Sequence, residues 1–570
     1  MTTVADLQAA AGASADRPGA GGHPLGNLLA GLATPDASLD QLQSLTGAAL
    51  VELLRLCHEK GWDSASLVGA ALDRIDTAPP PLQPLPTARA RKVAVYTGSF
   101  DPPTRFHRTI AERLHAEGFD EVIIHPDARR SDRPEHAVPI HRAAMTDLGF
   151  RGLPWVSVEL DDLDDHAFRT HKTLERDYSS RGEIWHVVSD DFVLLGRDGH
   201  STIQTRWESG RTMWTDSRFV VFHPTGVAPD PKDLPPTSRL LPIDGYLPTA
   251  DLRTMIYSGG ADAAEGLVAP LVAEYIRRHG LFASEVAPPQ CRITLDRPRL
   301  KIVTGPQEDA TRRAARFRHL EHDNPNLILV IGGDGTMLRA IREYWRHRLP
   351  FLGLNAGHLG HLVNENLPDD LNGAELVLYR MPMLRVDTVG EDGKATRGRL
   401  AFNDAWVERD GGQGAWFRLE VNGVQRVEKV VADGLLVATP SGSAAYARAM
   451  GATPVPLNSP VISLAGSNVF VPRFWKPLAL PDHTTVRMTS IGEPGKRPVR
   501  GFADGEPLGR IKAMEVRVSP VASVELAFTP KFDLSAKLLR SLFPPDDEGK
   551  NDRDPDDRSA EPSAEVQVRG

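Results

Sequence analysis

The chain has 570 residues, 41% of them hydrophobic and 25% charged, which is typical of a globular protein with more than one domain. Its formal net charge is −9, but residues 544–570 alone hold nine acidic and four basic residues, so the rest is nearly neutral. This balance excludes a strongly basic nucleic-acid surface, and no apolar run approaches the ~20 residues that span a membrane. The cysteines, Cys57 and Cys291, show no disulfide or metal-ligand spacing. Without a secretory pattern at the start, we expect a cytoplasmic protein.

Proline-rich stretches divide the chain. The run Ala78–Pro86 must be extended, because proline blocks both helix and sheet hydrogen bonding, and a second linker lies at Ala287–Pro289. We expect four segments, 1–90, 91–284, 298–540 and 541–570. The first contains a helical pattern but no chemistry that we can assign, and the last is acidic and predicted to be disordered.

The first domain begins with a strand pattern at Lys92–Tyr96 that ends near Gly98. Strand-like and helical runs then alternate as far as His279. This alternation predicts an α/β fold in which a doubly wound, parallel sheet is covered by helices.

The segment Thr97–His107 lies between this strand and a helical run. It resembles the Gly-Ser-Phe-(Asp/Asn)-Pro…(His/Thr)-x-x-His signature of HIGH-type nucleotidyltransferases. Together with Pro139–Met145 and Gly266–Leu281, it resembles the nicotinamide or nicotinate mononucleotide adenylyltransferases in particular. Such chemistry requires positive, hydrogen-bonding groups at a helix start rather than a nucleophilic side chain. The resemblance implies a catalytic role for His107 and ATP contacts from Gly98, Ser99, Phe100, Thr104 and Arg253.

Two departures from this family leave the activity of the first domain open. Phe106 replaces a usually small residue, and the second ATP motif, at Pro248–Arg253, lacks two of the usual hydroxyl side chains. The domain is therefore either an active adenylyltransferase or a degenerate domain that senses nucleotide or serves as a scaffold.

A second glycine-rich loop, Gly332–Thr336, follows the apolar strand pattern Leu327–Ile331 and precedes a helical run at Met337–Arg346. Glycines at a helix start let the backbone approach a phosphate closely. Asp334 cannot bind a phosphate by charge, so it is suited to act as a general base or to anchor Mg²⁺. Phosphofructokinases and the diacylglycerol and sphingosine kinases have related loops, so this motif alone does not identify the substrate.

Further motifs favour one family. Leu352–Gly360, Asn403–Asp404, Ala432–Tyr446 and Asp504–Gly505 follow in the order found in NAD kinases, and the resemblance extends over Leu300–Phe528. It implies an NAD kinase fold, an α/β part followed by a mostly β subdomain.

The same resemblance implies residue roles in the second domain. Asp334 is expected to remove the proton of the adenosine-ribose 2′-hydroxyl. Contacts to the donor phosphates are expected from Gly332, Gly333, Gly335, Thr336 and Arg339. Contacts to NAD are expected from Asn403, Asp404, Asp433, Ser443, Ala444, Tyr446 and Asp504. Two departures are Ala444, where the family usually has threonine, and His361, where it usually has an aromatic residue.

The resemblances together predict a bifunctional enzyme of NADP biosynthesis. It would use Mg²⁺ and ATP, and its substrates would be NAD and nicotinamide or nicotinate mononucleotide. The amidated mononucleotide is favoured, because its product could enter the kinase reaction directly. We expect a homo-oligomer without a protein-held metal, nucleic acid or membrane. The alternatives are a monofunctional NAD kinase and a catalytically inactive dinucleotide sensor, and ATP versus polyphosphate and NAD versus NADH stay open.

Overall fold

The computed structural model of the chain describes residues 90–128, 136–283, 291–357, 360–493 and 495–532, together with 537 and 539. The predicted N-terminal segment, apart from residue 90, and the predicted disordered tail lie outside these residues. So do His358 and Leu359 of the second NAD kinase-like motif and the linker Ala287–Pro289.

The first domain is built on a six-stranded sheet in which all neighbouring strands are parallel. Its strands are β1 (Lys92–Gly98), β2 (Glu121–Pro126), β3 (Val156–Val158), β4 (Glu183–Ser189), β5 (Arg218–His223) and β6 (Ser238–Pro242). Its helices are α1 (Arg105–Ala116), α2 (Pro139–Phe150), α3 (Asp161–Asp165), α4 (His171–Tyr178), α5 (Thr202–Arg206), α6 (Gly210–Asp216), α7 (Thr249–Gly259) and α8 (Pro270–His279). The strand order β3-β2-β1-β4-β5-β6 is doubly wound, so the predicted sheet is present, while the nucleotidyltransferase fold stays a prediction.

Helices cover both faces of this sheet. Successive residues of a strand point to opposite faces. Tyr96 shares a buried apolar cluster with Leu114 of α1, whereas its neighbour Val95 shares another with Leu174 of α4. The winding direction reverses between β1 and β4, and ligands of open parallel sheets bind at the carboxyl ends of strands near such a point. Gly98, at the end of β1, therefore lies where a ligand is expected.

The second domain begins as a parallel sheet and continues as antiparallel strands. Its strands are β7 (Cys291–Thr294), β8 (Leu300–Thr304), β9 (Leu327–Gly332), β10 (Phe351–Asn355), β11 (Glu375–Gly390), β12 (Ala395–Ala401), β13 (Asp404–Arg409), β14 (Ala415–Val421), β15 (Val424–Ala432), β16 (Gly434–Ala438), β17 (Val461–Ser467), β18 (Leu478–Pro481), β19 (Val486–Ser490), β20 (Val499–Ala503) and β21 (Glu506–Phe528). Its helices are α9 (Glu308–Ala314), α10 (Asp334–Tyr344), α11 (Pro440–Ser443) and α12 (Tyr446–Ala449). Short 3-10 turns lie in both domains. Those of the first domain are Ser179–Arg181, Asp190–Phe192, Gly196–Asp198, Pro231–Asp233 and Ala261–Ala264, and those of the second are Arg318–Leu320 and Trp345–His347.

Strands β8, β9 and β10 are parallel, and β10 also pairs in parallel with the end of β21. All six residues of β9 are buried, which explains its continuous apolar sequence. From β11 onwards the remaining pairings are antiparallel, as the predicted β-rich subdomain requires. Strand β7 pairs with β11, so the sheet of the second domain begins before residue 298.

The described residues of the two domains belong to one compact unit. Helix α2 of the first domain packs on β21 of the second. There Val521 completes a buried apolar cluster with Ala143, Leu160 and Leu163 of the first domain. No helix among the described residues is both long and apolar enough to cross a membrane.

Candidate functional site

The loop after β1 holds His107 in a defined orientation. Thr104 is the residue at which α1 begins, and its backbone N–H donates to His107 Nδ1 at 3.0 Å. Because Nδ1 accepts this bond, the neutral imidazole carries its proton on Nε2. Burial, with the rings of Tyr96 and Phe100 at 6.0 and 5.3 Å, lowers the pKa of His107 to about 4. The positively charged group that the sequence analysis expects here is thus a neutral hydrogen-bond donor at pH 7.

Buried side chains hold the backbone of the same loop, mainly through hydrogen bonds to its carbonyl groups. Arg142, fully buried on α2, donates from Nε and Nη2 to the carbonyl of Ser99 at 3.0 and 2.6 Å. Arg253, on α7, donates to the carbonyl of Asp101 at 2.7 Å. The ring of Phe100 is fully buried and its φ is 44°. Of the residues assigned to ATP, Phe100 and Arg253 are therefore part of the loop's support.

The sequence analysis missed Arg142 and a stacked pair of rings in the first domain. His171 lies flat on Trp207, with ring centroids 3.4 Å apart and planes inclined by 7°. Its Nε2 is 3.2 Å from the hydroxyl oxygen of Thr97, near the end of β1. These two residues are 36 positions apart, so no helical or strand periodicity in the sequence links them. Only the folding of the sheet brings the histidine and the tryptophan together.

In the second domain, the glycine-rich loop forms the start of α10. Gly333 is the residue at which the helix begins, so Asp334 lies in its first turn. A Cβ atom at Gly332 would overlap the hydroxyl of Thr336, which explains the glycine. A Cβ at Gly333 or Gly335 would meet nothing within 4 Å, so this side of the loop is open. Backbone N–H groups at an open helix start are suited to bind phosphate.

Asp334 is oriented by a distant segment of the chain. Its two carboxylate oxygens accept hydrogen bonds from the backbone N–H groups of His361 and Leu362, both at 2.9 Å. A carboxylate has about four lone-pair sites, so two stay available for a ligand. Arg339, also assigned to the donor phosphates, is exposed and donates to the carbonyl of Thr304 at 2.7 Å.

A second group of carboxylates lies where β13 meets the turn between β20 and β21. Asp504, whose φ is 48°, accepts hydrogen bonds from the N–H groups of Phe402, Asn403 and Asp404 at 2.6, 2.7 and 3.2 Å. Burial and the nearby Asp504 raise the pKa of Asp404 to about 7. In the described part of the chain, no group donates a hydrogen bond to the Asp404 carboxylate. It can therefore accept one from a ligand.

The elements that carry Asp334 and Asp504 lie against each other. Arg342 of α10 forms an ion pair with Glu506, which directly follows the turn at Asp504–Gly505. The side-chain oxygen of Asn403 accepts a hydrogen bond from the Ser441 hydroxyl at 2.8 Å. The structure thus brings the glycine loop, Asn403, Asp404 and Asp504 into one region.

Comparisons with known proteins show which family the second domain resembles. A family model described as the ATP-NAD kinase N-terminal domain matches residues 286–373. The NAD kinase of Brucella suis biovar 1 (strain 1330) is 33% identical over 232 residues, which are 40% of this chain and 89% of that protein. The chain belongs to the NAD kinase family. The NAD kinase of Cereibacter sphaeroides (strain ATCC 17025 / ATH 2.4.3) is 34% identical over 42% of this chain and 93% of its own length. Yeast NADH kinase, solved with NADH, is 18% identical with a TM-score of 0.37, over 44% of this chain and 88% of that chain.

Asp433 lies apart from the other residues of the NAD kinase site. In the pairing of β13 with β16, Asp404 is opposite Ala438, whereas Asp433 precedes the other end of β16. The five-residue strand places Asp433 and Ala438 about 17 Å apart. The carboxylate of Asp433 instead accepts hydrogen bonds from Arg409 and Asn468 at 2.7 and 2.8 Å. Asp433 therefore lies outside the group formed by Asn403, Asp404 and Asp504, and its contact with NAD stays a prediction.

The remaining residues assigned to NAD differ in exposure. Ser443 is fully buried; its hydroxyl donates to the carbonyl of Pro440 and accepts from the N–H of Val455. Ala444 directly follows α11, and Tyr446, two residues later, is 57% exposed, with its ring 5.3 Å from that of Trp406. Ser443 therefore shapes this segment from inside, while Ala444 and Tyr446 offer a surface.

Proposed function

We propose that this chain transfers a phosphoryl group to the adenosine-ribose 2′-hydroxyl of NAD at the loop Gly332–Thr336. The observation that carries the proposal is the Asp334 carboxylate, which two backbone N–H groups hold at the open, glycine-rich start of α10. There it can accept the proton of the attacking hydroxyl while donor phosphates lie against the loop N–H groups. Membership of the NAD kinase family supports NAD as the acceptor.

The dinucleotide would lie against the region of Asn403, Asp404 and Asp504. Because the pKa of Asp404 is about 7, a substantial fraction of its side chain is ionised at neutral pH and can accept hydrogen bonds from ribose hydroxyls. The exposed ring of Tyr446, with Ala444 beside it, suits the flat face of a base.

Mg²⁺ fits this site as a companion of ATP. Mg²⁺ is commonly bound by one or two carboxylates together with substrate phosphates and water, and Asp334 has lone pairs left for this. When bound, the ion would neutralise charge on the phosphates.

The test uses the purified full chain with Mg²⁺-ATP and NAD. We expect a product heavier by one phosphate that an NADP-specific dehydrogenase reduces, which reports the 2′-position. Parallel reactions with polyphosphate and with NADH identify the donor and the preferred redox state. Failure to phosphorylate either dinucleotide with either donor would contradict the proposal.

A second activity, adenylyl transfer in the first domain, is supported by a different observation. His107 presents a protonated Nε2 at the start of α1, beside the point where the sheet reverses its winding. A phosphate oxygen of the mononucleotide would attack the α-phosphorus of ATP, and pyrophosphate would leave with the bonding electrons. His107 would donate a neutral hydrogen bond to the phosphate oxygens during this step.

Incubating the full chain with Mg²⁺-ATP and each mononucleotide separates the alternatives for the first domain. Dinucleotide formed from nicotinamide mononucleotide would supply the kinase directly, whereas nicotinate mononucleotide would give a product that still needs amidation. Absence of dinucleotide from both would support the alternative, a monofunctional NAD kinase with a nucleotide-sensing or scaffolding domain. The expected homo-oligomer stays a prediction.

A further inference from the structure

Two arginines at the end of the kinase loop helix reach into the first domain. The 3-10 turn Trp345–His347 directly follows α10, which begins at Asp334. From this turn and the next residue, Arg346 Nη2 and Arg348 Nε reach the carboxylate of Asp147 at 2.7 and 2.9 Å. The side chains of Arg348 and Asp147 are only 3% and 5% exposed. This is a buried ion pair between the two domains.

Asp147 lies on α2, the helix that supports the phosphate loop of the first domain. Arg142 stands five residues earlier on α2, about 7.5 Å along the helix axis. Its guanidinium donates twice to the carbonyl of Ser99 and once to Asp127, at 2.8 Å. A continuous set of contacts therefore joins the end of α10 to the backbone of the first phosphate loop.

The interface between α2 and the second domain also contains a buried apolar cluster. Val521 of β21 packs against Ala143 of α2 in a fully apolar cluster. A second buried pair, Arg278 with Glu525 at 2.9 Å, joins α8 to β21. Removing one partner of a buried ion pair leaves the other charge uncompensated. Loss of this pair would therefore weaken the packing of α2 against the second domain, which matters more than the loss of a surface contact.

We propose that Asp147 and Arg348 are positioning residues for the first domain. Their ion pair fixes α2 against the kinase domain. Helix α2 carries Arg142, whose hydrogen bonds hold the loop Gly98–His107. The activity part of this inference rests on the proposed adenylyl transfer. It follows that a fragment cut at the linker would lose the loop's support, so the first domain has to be assayed in the full chain.

The test compares Asp147→Asn with Asp164→Asn in the full chain. Asp164 is the matched control, because its carboxylate also pairs across the domains, with Arg385 and with the Ser519 hydroxyl, but it lies on α3 and not on α2. Hydrogen–deuterium exchange of residues 97–107 should speed up in Asp147→Asn and not in Asp164→Asn. Adenylyl transfer should fall by about tenfold or more in kcat/KM for ATP in the first variant only, since small misplacements have effects of this size.

Arg348→Gln is the second variant, because it removes the buried partner of Asp147 while Arg346, which is 45% exposed, keeps its contact with that carboxylate. If Asp147→Asn does not fold, Arg348→Gln should still raise the exchange of residues 97–107. Equal exchange in Asp147→Asn and Asp164→Asn, or wild-type exchange in Arg348→Gln, would overturn the inference. Faster exchange in a chain whose wild type makes no dinucleotide would uphold the positioning role and contradict the adenylyl transfer instead.

Discussion

The pKa of the Asp404 carboxyl group is unusually high for a residue that we expect to contact a ligand. Burial and Asp504 raise its pKa to about 7, far above the value of about 3.9 expected in the unfolded chain. Between these values the folded protein keeps a proton that the unfolded chain has lost. The contribution of Asp404 to the free energy of unfolding should therefore be fully present below about pH 4 and should be lost as the pH rises through 7.

Asp404→Asn should remove this fall, because an amide does not titrate. We expect the variant to gain melting temperature relative to wild type at about pH 8 and to gain little at about pH 4. Differential scanning calorimetry at several pH values measures the difference. A gain that is independent of pH would show that Asp404 stays ionised in the folded protein.

His107, by contrast with Asp404, is expected to keep the same protonation state near neutral pH. Since its pKa is about 4, adenylyl transfer should show no histidine ionisation between about pH 5.5 and 8. His107→Ala should abolish dinucleotide synthesis from mononucleotide and ATP while phosphorylation of added NAD continues. Protonation of the His107 ring near pH 6.5, followed by NMR in the wild-type chain, would contradict the neutral-donor role.

Sequence alone identified these residues but not their electrostatic state. The glycine pattern around Asp334 and the spacing of Thr104 and His107 are local, so the motifs reveal them. The N–H groups that hold Asp334 come from His361 and Leu362, and backbone donors leave no mark on a sequence. The charge expected on His107 was wrong because the packing of its ring depends on the fold.

At the level of elements, the glycines between β9 and α10 are needed for different reasons. Gly332→Ala should destabilise the protein, because its methyl group would overlap Thr336. Gly335→Ala meets open space, so its melting temperature should stay near that of wild type while the KM for ATP rises, since a methyl group would occupy the phosphate side. Thermal melting and kinase kinetics on both variants separate the effects. Equal melting temperatures would contradict the packing assigned to Gly332.

The sequence predicted short, strongly patterned elements better than long ones. The strand pattern at Lys92–Tyr96 and the apolar run before Gly332 match β1 and β9 closely. The 23-residue β21 contains Pro507 and Pro520, which normally interrupt strands, so its length does not follow from a local pattern. Helix α10 begins at Asp334 rather than Met337, because Gly333 can start the helix.

For the whole molecule, buried interdomain ion pairs predict that the two domains unfold together. Arg278 and His279 hold the pKa of Glu525 at about 2, although burial alone would raise it. Its contribution to stability is therefore present above about pH 4.5 and is lost as the pH falls towards 2. These pairs join residues about 200 or more positions apart, so no sequence pattern predicts them.

Calorimetry of the full chain at neutral pH should show one transition for both domains. Glu525→Gln, or lowering the pH to about 2, should separate it into two, because the interface loses a charge that Arg278 needs. Two well-separated transitions in the wild type at neutral pH would show that the domains are energetically independent.

Asp334 is the residue that we propose activates the 2′-hydroxyl of NAD. The most direct measurement is the steady-state rate of NADP formation by the purified full chain, wild type against Asp334→Asn, at saturating Mg²⁺-ATP. Removing a general base should lower kcat by about 10²-fold or more, while the KM for NAD and the melting temperature change little. His107→Ala is the matched control and should keep the wild-type rate. Retention of near-normal kcat by Asp334→Asn would contradict the assignment.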